Sequence, residues 1–346
     1  MKMHLFQIAK RSLAAAAVFA LLGLASESRA ADNTTVRLGT LAPRGSTFHK
    51  SLQMMGEQWR KASDDKVKLI IYPDGVQGSE ADMVRKMRAN RLNAGLLTAV
   101  GLAEVEPSVT CLQNLPMMFR SLDELDYVTR QMQPVLEKKL LEKGFVVVFW
   151  GDAGWVRYFS SKPIVKPDDM KPLKLFIWAG DTYLTDLWRT AGYKPYPLET
   201  ADMVQGFRTG LIEAAAMPPV FAVAGQIYDP APYMLELNWA PLVGACVVST
   251  GVWNTLSPAQ REAFFKAAQD AGREIRSGNR KESDDAVQAM VKRGLKVTKV
   301  TPEVEAAWRS EVEPFYAKIR GPVVPPEMFD QVKTLLEDYR ATGGKK

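Results

Sequence analysis

Cysteine and histidine are scarce in this chain of 346 residues. Two cysteines and two histidines cannot build a disulfide framework or a structural zinc site. Cys111 and Cys246 lie in apolar, strand-like segments, so we expect buried free thiols, with a single disulfide as the alternative in an oxidising compartment. After residue 30, His49 is the one histidine, so a Ser-His-Asp triad would depend on that residue alone.

A hydrophobic run of membrane-spanning length is also missing. The apolar run at 13–24 is shorter than the ~20 residues that a membrane span needs. It follows basic residues and precedes the small-x-small motif Ser28-Arg29-Ala30, which is the order of a secretory signal peptide. We predict that residues 1–30 are a signal peptide cleaved near Ala30, and that the mature protein is soluble and periplasmic.

Charge of one sign does not dominate the chain either. The formal net charge is +6, but residues 1–30 carry +3 of it, which leaves about +3 for the remainder. Lysine and arginine are interspersed with acidic residues along the helical segments, as on a solvated face. Because the sequence has neither a basic stripe nor a stacking-aromatic motif, we expect no nucleic-acid partner.

Catalytic motifs are missing as well. The sequence contains no hydrolase elbow and no phosphate-binding loop. Adjacent acidic residues occur at 64–65, 168–169 and 284–285, but neighbouring carboxylates diverge on helices and alternate faces on strands, so these pairs are typical of turns and caps. We therefore predict a protein that is not an enzyme and that has no cofactor and no bound metal.

Short strands alternate with amphipathic helices along the chain, and this pattern predicts an α/β fold. The roughly 315 residues after the signal peptide exceed one hydrophobic core, so two lobes are expected. In the first part, the predicted strands are 35–41, 67–72, 93–97 and 145–150, and the predicted helices are 47–62, 80–90 and 122–142. In the second part, the predicted strands are 156–160, 173–178, 194–197 and 213–215, and the predicted helices are 182–191 and 200–209.

The longest helical pattern covers residues 258–293. Ser257 is its predicted cap and Pro258 its first helical residue, while Gly272 and Gly278 are predicted bends. The flanking predictions are a strand at 246–253, a strand at 295–300 and two helices around 322–326. A helix of this length in a two-lobed protein is predicted to run along both lobes.

Several segments follow, in order and spacing, the pattern of one protein family over nearly the whole mature chain. Residues 71–79 read IYPDGVQGS where that family has F-P-x-G-Q-L-G, and residues 115–120 read LPMMFR where it has L-P-F-L-F-R. Arg157 opens a stretch similar to R-x-x-T-S-x-x-P-I. The other matching segments are 38–43, 173–177 and 256–258. On these segments the chain resembles the solute-binding proteins of TRAP (tripartite ATP-independent periplasmic) transporters, the DctP family.

This resemblance implies a two-lobed fold like that of periplasmic binding proteins, with a ligand cleft between the lobes and a long spine helix. Lobe 1 would comprise 31–155, completed by about 243–270, and lobe 2 would comprise 156–242, completed by about 271–346. The implied function is capture of a small molecule and its delivery to the membrane permease subunits, with membrane contact only through the permease. A monomer is expected rather than a dimer. Delivery to a sensory receptor instead of a permease is the alternative.

The residues expected in the cleft are more apolar than those of the family pattern. The family's strand reads L-K-I-R-V, and its arginine pins the ligand carboxylate; here Phe176 stands at that position. Ala216 and Met217 stand where the family has Glu and Asn, and Trp239 stands where many members have a polar residue. An unpaired buried carboxylate is costly, whereas apolar surface gains ~25 cal/mol per Å² buried. We therefore predict a hydrophobic or amphipathic ligand.

The predicted ligand-binding residues combine these positions with neighbouring aromatic and loop residues. They are Ala42, Trp150, Arg157, Phe176, Trp178, Ala216, Met217, Phe221, Tyr233 and Trp239. Aromatic residues on a strand more often pack in a core than against a ligand, so Phe176 and Trp178 have a core position as their alternative. Arg157 has two readings, a carboxylate-binding residue that makes the protein a carboxylate receptor, or a member of an ion pair.

Overall fold

In the part of the chain that the computed structural model describes, residues 34–179 and 182–344, nine strands form one mixed sheet. The predicted signal peptide, residues 1–30, lies outside the described residues. The strands are β1 (Thr34–Thr40), β2 (Val67–Tyr72), β3 (Ala94–Thr98), β4 (Phe145–Ser160), β5 (Lys174–Trp178), β6 (Lys194–Leu198), β7 (Ala214–Met217), β8 (Tyr233–Ser249) and β9 (Lys296–Thr298).

Helices cover both faces of this sheet. The α-helices are α1 (Thr47–Ala62), α2 (Glu80–Arg88), α3 (Ala99–Ala103), α4 (Leu122–Glu142), α5 (Pro167–Met170), α6 (Thr182–Thr190), α7 (Met203–Thr209), α8 (Pro219–Ala224), α9 (Thr250–Trp253), α10 (Pro258–Val291), α11 (Pro302–Val312), α12 (Tyr316–Ile319) and α13 (Pro326–Ala341). Short 3₁₀ helices lie at Pro107–Leu112, Thr200–Asp202 and Glu313–Phe315.

The sheet has the order β2-β1-β3-β8-β4-β7-β5-β6, with β9 beside β8. β1 and β3 pair in parallel, as do β5 with β6 and with β7. β8 runs antiparallel to both β3 and β4, and β4 runs antiparallel to β7. Two parallel groups are thus joined through the central antiparallel pair β4 and β8. This mixed sheet with its covering helices confirms the predicted α/β class.

The two central strands are far longer than predicted. β4 has 16 residues, so the prediction of separate strands at 145–150 and 156–160 was wrong. β8 has 17 residues and ends at Ser249, so the strand predicted at 246–253 begins much earlier and gives way to α9. Because β4 and β8 pair with each other over most of their length, they form one continuous two-stranded ribbon at the centre of the sheet.

The longest helix, α10, runs for 34 residues, which corresponds to about 51 Å at 1.5 Å per residue. Its predicted start is confirmed. The Ser257 hydroxyl accepts from the Gln260 N–H at 3.2 Å, and the Gln260 side chain accepts from the Ser257 N–H at 2.9 Å. This capping box fixes the first turn. The helix packs against the central strand β4 and against the helices α1 and α8.

α10 is helical without a break through Gly272 and Gly278, and the bends predicted there stay a prediction. A Cβ atom at Gly272 would lie 2.8 Å from the Cβ atom of Phe149 on β4, closer than van der Waals contact permits. At Gly278 the same atom would lie 2.8 Å from Cγ2 of Thr47. These glycines allow the helix to approach its neighbours closely.

The C-terminal helix α13 packs on α4. Leu136 and Val332 belong to the same buried cluster, and Glu124 at the start of α4 accepts two hydrogen bonds from Arg340, at 2.7 and 2.8 Å. The division into lobes at 155/156 stays a prediction. The packing of α13 favours assigning that helix to the first lobe rather than to the second.

Both cysteines are buried and free, so the disulfide alternative does not hold in this structure. Burial raises the pKa of Cys111 to about 12 and also raises the pKa of Cys246. No helix of the described residues is both long and apolar enough to cross a membrane. Within 34–179 and 182–344, no group of three or more His, Cys, Asp and Glu side chains is placed to hold a metal ion.

Candidate ligand cavity

A cavity of about 170 Å³ lies against the sheet where β4, β5, β7 and β8 come together. Helix α6, the loop at Gln113 and Asn114, and the segment that ends α11 and continues to Ile319 cover it. Its wall is mainly apolar. Since an apolar cavity of about 150 Å³ in another protein binds benzene, this volume suits a molecule with one aromatic ring.

Strand register explains which side chains form the floor of the cavity. Side chains alternate between the two faces of a sheet. Leu175 on β5 pairs with Ala214 on β7, and Ala216 pairs with Tyr158 on β4. Leu175, Ile177, Ala216 and Tyr158 therefore share one face, and all four line the cavity.

Aromatic rings form much of the wall. The ring centroid of Trp239 lies 5.3 Å from that of Tyr158 and 5.8 Å from that of Trp188. Trp188 in turn meets Tyr193 edge to face at 4.8 Å. These separations are the ones that aromatic side chains favour. The four rings give the cavity a large polarisable surface with few polar groups.

Glu311 is the one charged residue among the described residues that line the cavity. Its Oε1 accepts from the hydroxyl of Tyr193 at 3.3 Å and lies 3.2 Å from Nζ of Lys171. Lys171 also pairs with Asp168 at 3.0 Å, so two carboxylates share one ammonium group. A ligand carboxylate in this cavity would meet an acidic side chain and no lining lysine or arginine of the described chain.

Tyr158 has an unusual hydroxyl group. The residue is 1% exposed, and its buried hydroxyl has no hydrogen-bond partner in the described part of the chain. Burial, with a smaller contribution from Tyr193, raises the pKa of Tyr158 well above its usual range. Burial and Glu311 likewise raise the pKa of Tyr193. Both phenols are therefore neutral at physiological pH and able to donate a hydrogen bond.

Four of the ten predicted ligand-binding residues line this cavity: Phe176, Trp178, Ala216 and Trp239. Phe176 is 5% exposed and also belongs to a buried cluster, with Trp178 at 5.9 Å from its ring. The indole N–H of Trp178 donates to Oγ1 of Thr200 at 3.1 Å. By alternation along β5, the side chains of Phe176 and Trp178 lie on the opposite face of the sheet from Leu175 and Ile177, in and against the core cluster that includes Met217, although both residues border the cavity.

Met217 and Arg157 lie on the opposite face of the sheet from Ala216 and Tyr158. They pair with each other across β4 and β7, and neither lines the cavity. The side chain of Arg157 is 11% exposed, and its Nη1 donates to Glu236 at 3.2 Å. Its Nε is buried without a hydrogen-bond partner among the described residues. Arg157 is thus a member of an ion pair, as one of its two interpretations predicted, and its buried Nε–H has no partner among the described residues.

Ala42 and Phe221 come together in another apolar region. Ala42 is buried in the cluster formed by β1, α1 and α10, and Phe221 packs against that cluster. The rings of Phe221 and Phe48 are stacked at 5.9 Å. This contact joins α1 to α8, and it lies outside the residues that line the cavity.

Trp150 and Tyr233 lie elsewhere. The indole N–H of Trp150 donates to Glu137 on α4 at 3.0 Å, which places its side chain in the core beneath that helix. Tyr233 begins β8, and Nζ of Lys296 lies 5.1 Å from its ring centroid. The structure does not bring these two residues to the cavity.

The sequence reasoning missed several lining residues. Tyr158 follows Arg157 directly, Tyr193 lies in a Gly-Tyr-x-Pro segment that resembles the family without being chosen as a site residue, and Trp188 and Glu311 lie outside the positions chosen from the family pattern. Aromatic residues at Trp188 and Tyr193, close to the predicted cleft strand, were a usable signal. Nothing in the local sequence indicated that Glu311, more than a hundred residues away, would close the same cavity.

A separate open depression lies along α10 and is lined by charged residues, among them Arg273, Arg276 and Arg280. Arg273 pairs with Asp270, and Nη1 of Arg276 donates to the carbonyl oxygen of Trp150 at 2.9 Å. Arg280 is paired with two carboxylates. Each of these three cations already has a protein partner.

Residues 38–321 match the model of the bacterial extracellular solute-binding proteins, family 7. A solute-binding protein from Chromohalobacter salexigens is 24% identical over 305 residues, which cover 87% of this chain and 89% of that protein. A sialic acid-binding periplasmic protein from Vibrio cholerae is 19% identical over 309 residues, covering 89% of this chain and 95% of that protein.

Solved structures show the same fold. A TRAP periplasmic solute-binding protein from Chromohalobacter salexigens, with bound d-glucuronate, has a TM-score of 0.79 and 21% identity, and the match covers 87% of this chain and 99% of that one. A sugar acid binding protein from Advenella mimigardefordensis, in complex with galactonate, has a TM-score of 0.82 and 19% identity, over 89% and 99% of the two chains. The two-lobed architecture with its long helix is thereby confirmed. Since the family model spans most of its length, the chain belongs to family 7 of the bacterial extracellular solute-binding proteins, the DctP family of TRAP transporter receptors.

Proposed function

We propose that this protein captures an uncharged, largely apolar molecule of about one aromatic ring and delivers it to the permease subunits of a TRAP transporter. The observation that carries the proposal is the wall of the cavity. Glu311 is its one charged residue within the described chain, and the remaining wall is dominated by aromatic and aliphatic side chains. Such a wall stabilises apolar ligand surface and offers a carboxylate no cationic partner.

This ligand class differs from that of the related proteins named above. Glucuronate and galactonate each carry a carboxylate and several hydroxyl groups, which require cationic and polar partners. Phe176 stands where the family pattern has its arginine, and Arg157 is paired with Glu236. Of the two positions that bind a carboxylate in the family pattern, one therefore holds an apolar side chain here. The other holds an arginine whose charge is already paired with a carboxylate of the protein.

The rest of the proposal follows the family. The signal-peptide pattern of residues 1–30 supports export to the periplasm. The protein would act there as a monomeric receptor and not as an enzyme, and it would meet the membrane only through the permease. Ligand capture would be coupled to closure of the two lobes, because contacts on both sides of a cleft favour the closed state.

Native mass spectrometry of the protein purified from its periplasm, followed by organic extraction and identification of the bound molecule, tests the ligand class. Recovery of a neutral compound with an aromatic or aliphatic skeleton supports the proposal. Recovery of a sugar acid or a small dicarboxylate as the bound molecule overturns it. Delivery to a permease is tested separately, by deleting the permease genes and measuring uptake of the recovered compound.

A carboxylate receptor that uses Arg157 is the second candidate function, and one observation favours it. The Nε–H of Arg157 is buried without a partner among the described residues, so a ligand carboxylate that approached this face would find a free donor on a cation. Calorimetric titration of glucuronate into the wild type and into Arg157→Lys separates the two functions. Micromolar binding that the lysine variant loses would establish the second function, because lysine cannot reproduce the planar guanidinium contact.

A further inference from the structure

In the described part of the chain, the buried hydroxyl group of Tyr158 has no hydrogen-bond partner. Nearly all buried side-chain polar atoms in proteins are hydrogen-bonded, and an unpaired one is destabilising. Tyr158 is 1% exposed, and its hydroxyl is unpaired among the described residues. The residue lines the cavity, so its unpaired hydroxyl belongs to a side chain against which a molecule inside the cavity packs.

The surroundings of Tyr158 limit which polar group a molecule in the cavity can place against its hydroxyl. Its ring is held edge to face against Trp239 at 5.3 Å and is stacked on Trp308 at 5.9 Å, so the phenol has a fixed position. Tyr193 also lines the cavity, but its hydroxyl already donates to Glu311 at 3.3 Å. Among the described residues that line the cavity, Tyr158 therefore offers an oriented and unused phenolic donor in a mainly apolar wall, whose other polar side chains include Gln113, Asn114 and Glu311.

We propose that the ligand carries an uncharged hydrogen-bond acceptor, such as the carbonyl oxygen of a ketone, ester or amide, and that this oxygen accepts the hydroxyl proton of Tyr158. The inference rests on the proposed function and deepens it, since it specifies the polar end of an otherwise apolar molecule. A phenol is a good donor, so an acceptor on the ligand satisfies the group that the fold leaves open.

Charge excludes the two obvious alternatives for the polar end. A carboxylate would lie in the same cavity as the carboxylate of Glu311, and the nearby ammonium of Lys171 is already shared by Glu311 and Asp168. An ammonium ligand would need Glu311 as its partner, but that carboxylate is already neutralised by Lys171 at 3.2 Å. A neutral acceptor requires no charged partner and leaves both ion pairs intact.

Calorimetric titration of the full mature chain with matched probes tests the inference. Acetophenone carries the proposed carbonyl, and ethylbenzene has the same skeleton without the oxygen. Benzoate and phenylethylamine supply the anionic and cationic counterparts. In Tyr158→Phe we expect the affinity for acetophenone to fall about tenfold and that for ethylbenzene to stay within about twofold, because only the first compound loses a hydrogen bond.

Tyr127→Phe is the matched control. Tyr127 is also a buried tyrosine, at 6% exposed, but it lies in the cluster beneath α4 and does not line the cavity. It should leave the affinities for both neutral probes unchanged. The free Tyr158→Phe protein should melt at the wild-type temperature or above, because the substitution removes an unpaired buried group. A clear loss of stability would show that the hydroxyl has a protein partner and would overturn the inference.

The remaining outcomes separate the inference from the proposed function. If both neutral probes bind and Tyr158→Phe alters them equally, the carbonyl assignment fails while the apolar receptor stands. If phenylethylamine binds more tightly than acetophenone and depends on Tyr158, the ligand end is a donor and the inference fails. If neither neutral probe binds, whether or not benzoate does, the proposed function fails and the inference fails with it.

Discussion

The guanidinium of Arg280 donates to both carboxylate oxygens of Asp152, from Nε to Oδ1 at 3.3 Å and from Nη2 to Oδ2 at 2.8 Å. Arg280 lies on α10, and Asp152 lies on β4 where the pairing with β8 shifts register between Asp152 and Trp155. Arg280 also forms two 2.7 Å hydrogen bonds with Asp126 on α4. One arginine thus fixes the long helix to the central ribbon at its irregular point.

Arg280→Met should therefore lower the free energy of unfolding. Asp152 is 4% exposed and would lose its cationic partner. Removing one partner of a buried ion pair costs about 3 to 5 kcal/mol. We expect a loss near the lower end of this range, about 3 kcal/mol, because the Gly154 N–H still donates to Asp152 at 3.0 Å. Urea denaturation followed by circular dichroism measures it.

Arg273→Met on the same helix is the control for that measurement. Arg273 pairs with Asp270, and its side chain is 63% exposed. An exposed ion pair contributes at most about 1 kcal/mol, so the control variant should remain close to the wild type. Equal losses in the two variants would show that Asp152 tolerates burial without Arg280.

Close packing at Gly272 gives the second prediction. Alanine favours a helix over glycine by about 1 kcal/mol, but its Cβ would lie 2.8 Å from Cβ of Phe149. Overpacking of this kind costs about 1 to 3 kcal/mol, so Gly272→Ala should be destabilising despite its better helix propensity. Gly251→Ala in α9, where no atom lies within 4 Å of the new Cβ, should be neutral or stabilising. Thermal melting of both variants decides this, and a stable Gly272→Ala would contradict the close contact.

The pair formed by Glu124 and Arg340 gives a prediction about pH. Burial raises the pKa of Glu124, but hydrogen bonds from Arg340 and from the Arg120 N–H outweigh this and hold the pKa below its usual range. A carboxyl with a lowered folded-state pKa stabilises the protein above its unfolded pKa, about 4.3, and this stabilisation is lost as the pH falls through the folded value. Glu124→Gln should cost about 2 kcal/mol at pH 7 and progressively less below about pH 4.

Unfolding in urea at pH 7, 5, 4 and 3 measures this convergence. Glu337→Gln on α13 is the control, because Glu337 is 63% exposed and pairs with Lys333 only at 3.9 Å. Its stability should differ little from that of the wild type at each pH. Parallel pH profiles for the wild type and Glu124→Gln would contradict the assigned pKa direction.

Phe176 tests how far the family pattern transfers to this chain. Its side chain packs in a buried cluster with Met217, so an arginine at this position would bring an unpaired charge into apolar surroundings. We expect Phe176→Arg to melt at a lower temperature and to lose affinity for acetophenone, while Phe176→Leu keeps both close to the wild type. Calorimetry and thermal melting measure the two effects. Unchanged acetophenone affinity in Phe176→Arg would show that Phe176 does not shape the site.

Much of the fold was predictable because its signals are local. Ser257 and Pro258 mark the start of α10, and the alternation around Phe176 marks β5. The site was less predictable because a strand has two faces, and local sequence does not say which face meets the cavity. Arg157 was chosen and its neighbour Tyr158 was not, although register with β7 places Tyr158 on the cavity face.

Long-range packing accounts for the other differences. Trp150 is aromatic and lies on a central strand, yet its N–H donates to Glu137. Its side chain therefore packs against α4 and not at the cavity. Glu311 lines the cavity through the tertiary packing of α11, and no periodicity within α11 indicates that contact. The same holds for Gly272, whose role depends on Phe149 more than a hundred residues earlier.

Trp188 sets the size of the cavity and gives the last prediction. Its ring lies between Tyr193 and Trp239, at 4.8 and 5.8 Å, and it forms the α6 side of the wall. Trp188→Ala should enlarge the cavity and lower stability by roughly 2 kcal/mol, about half the loss for a fully buried tryptophan, because Trp188 is half-buried. The affinity for 2-acetylnaphthalene should rise relative to that for acetophenone, since the second ring can occupy the vacated volume. Calorimetric titration of both ketones into both proteins measures the ratio, and an unchanged ratio would place the ligand away from α6.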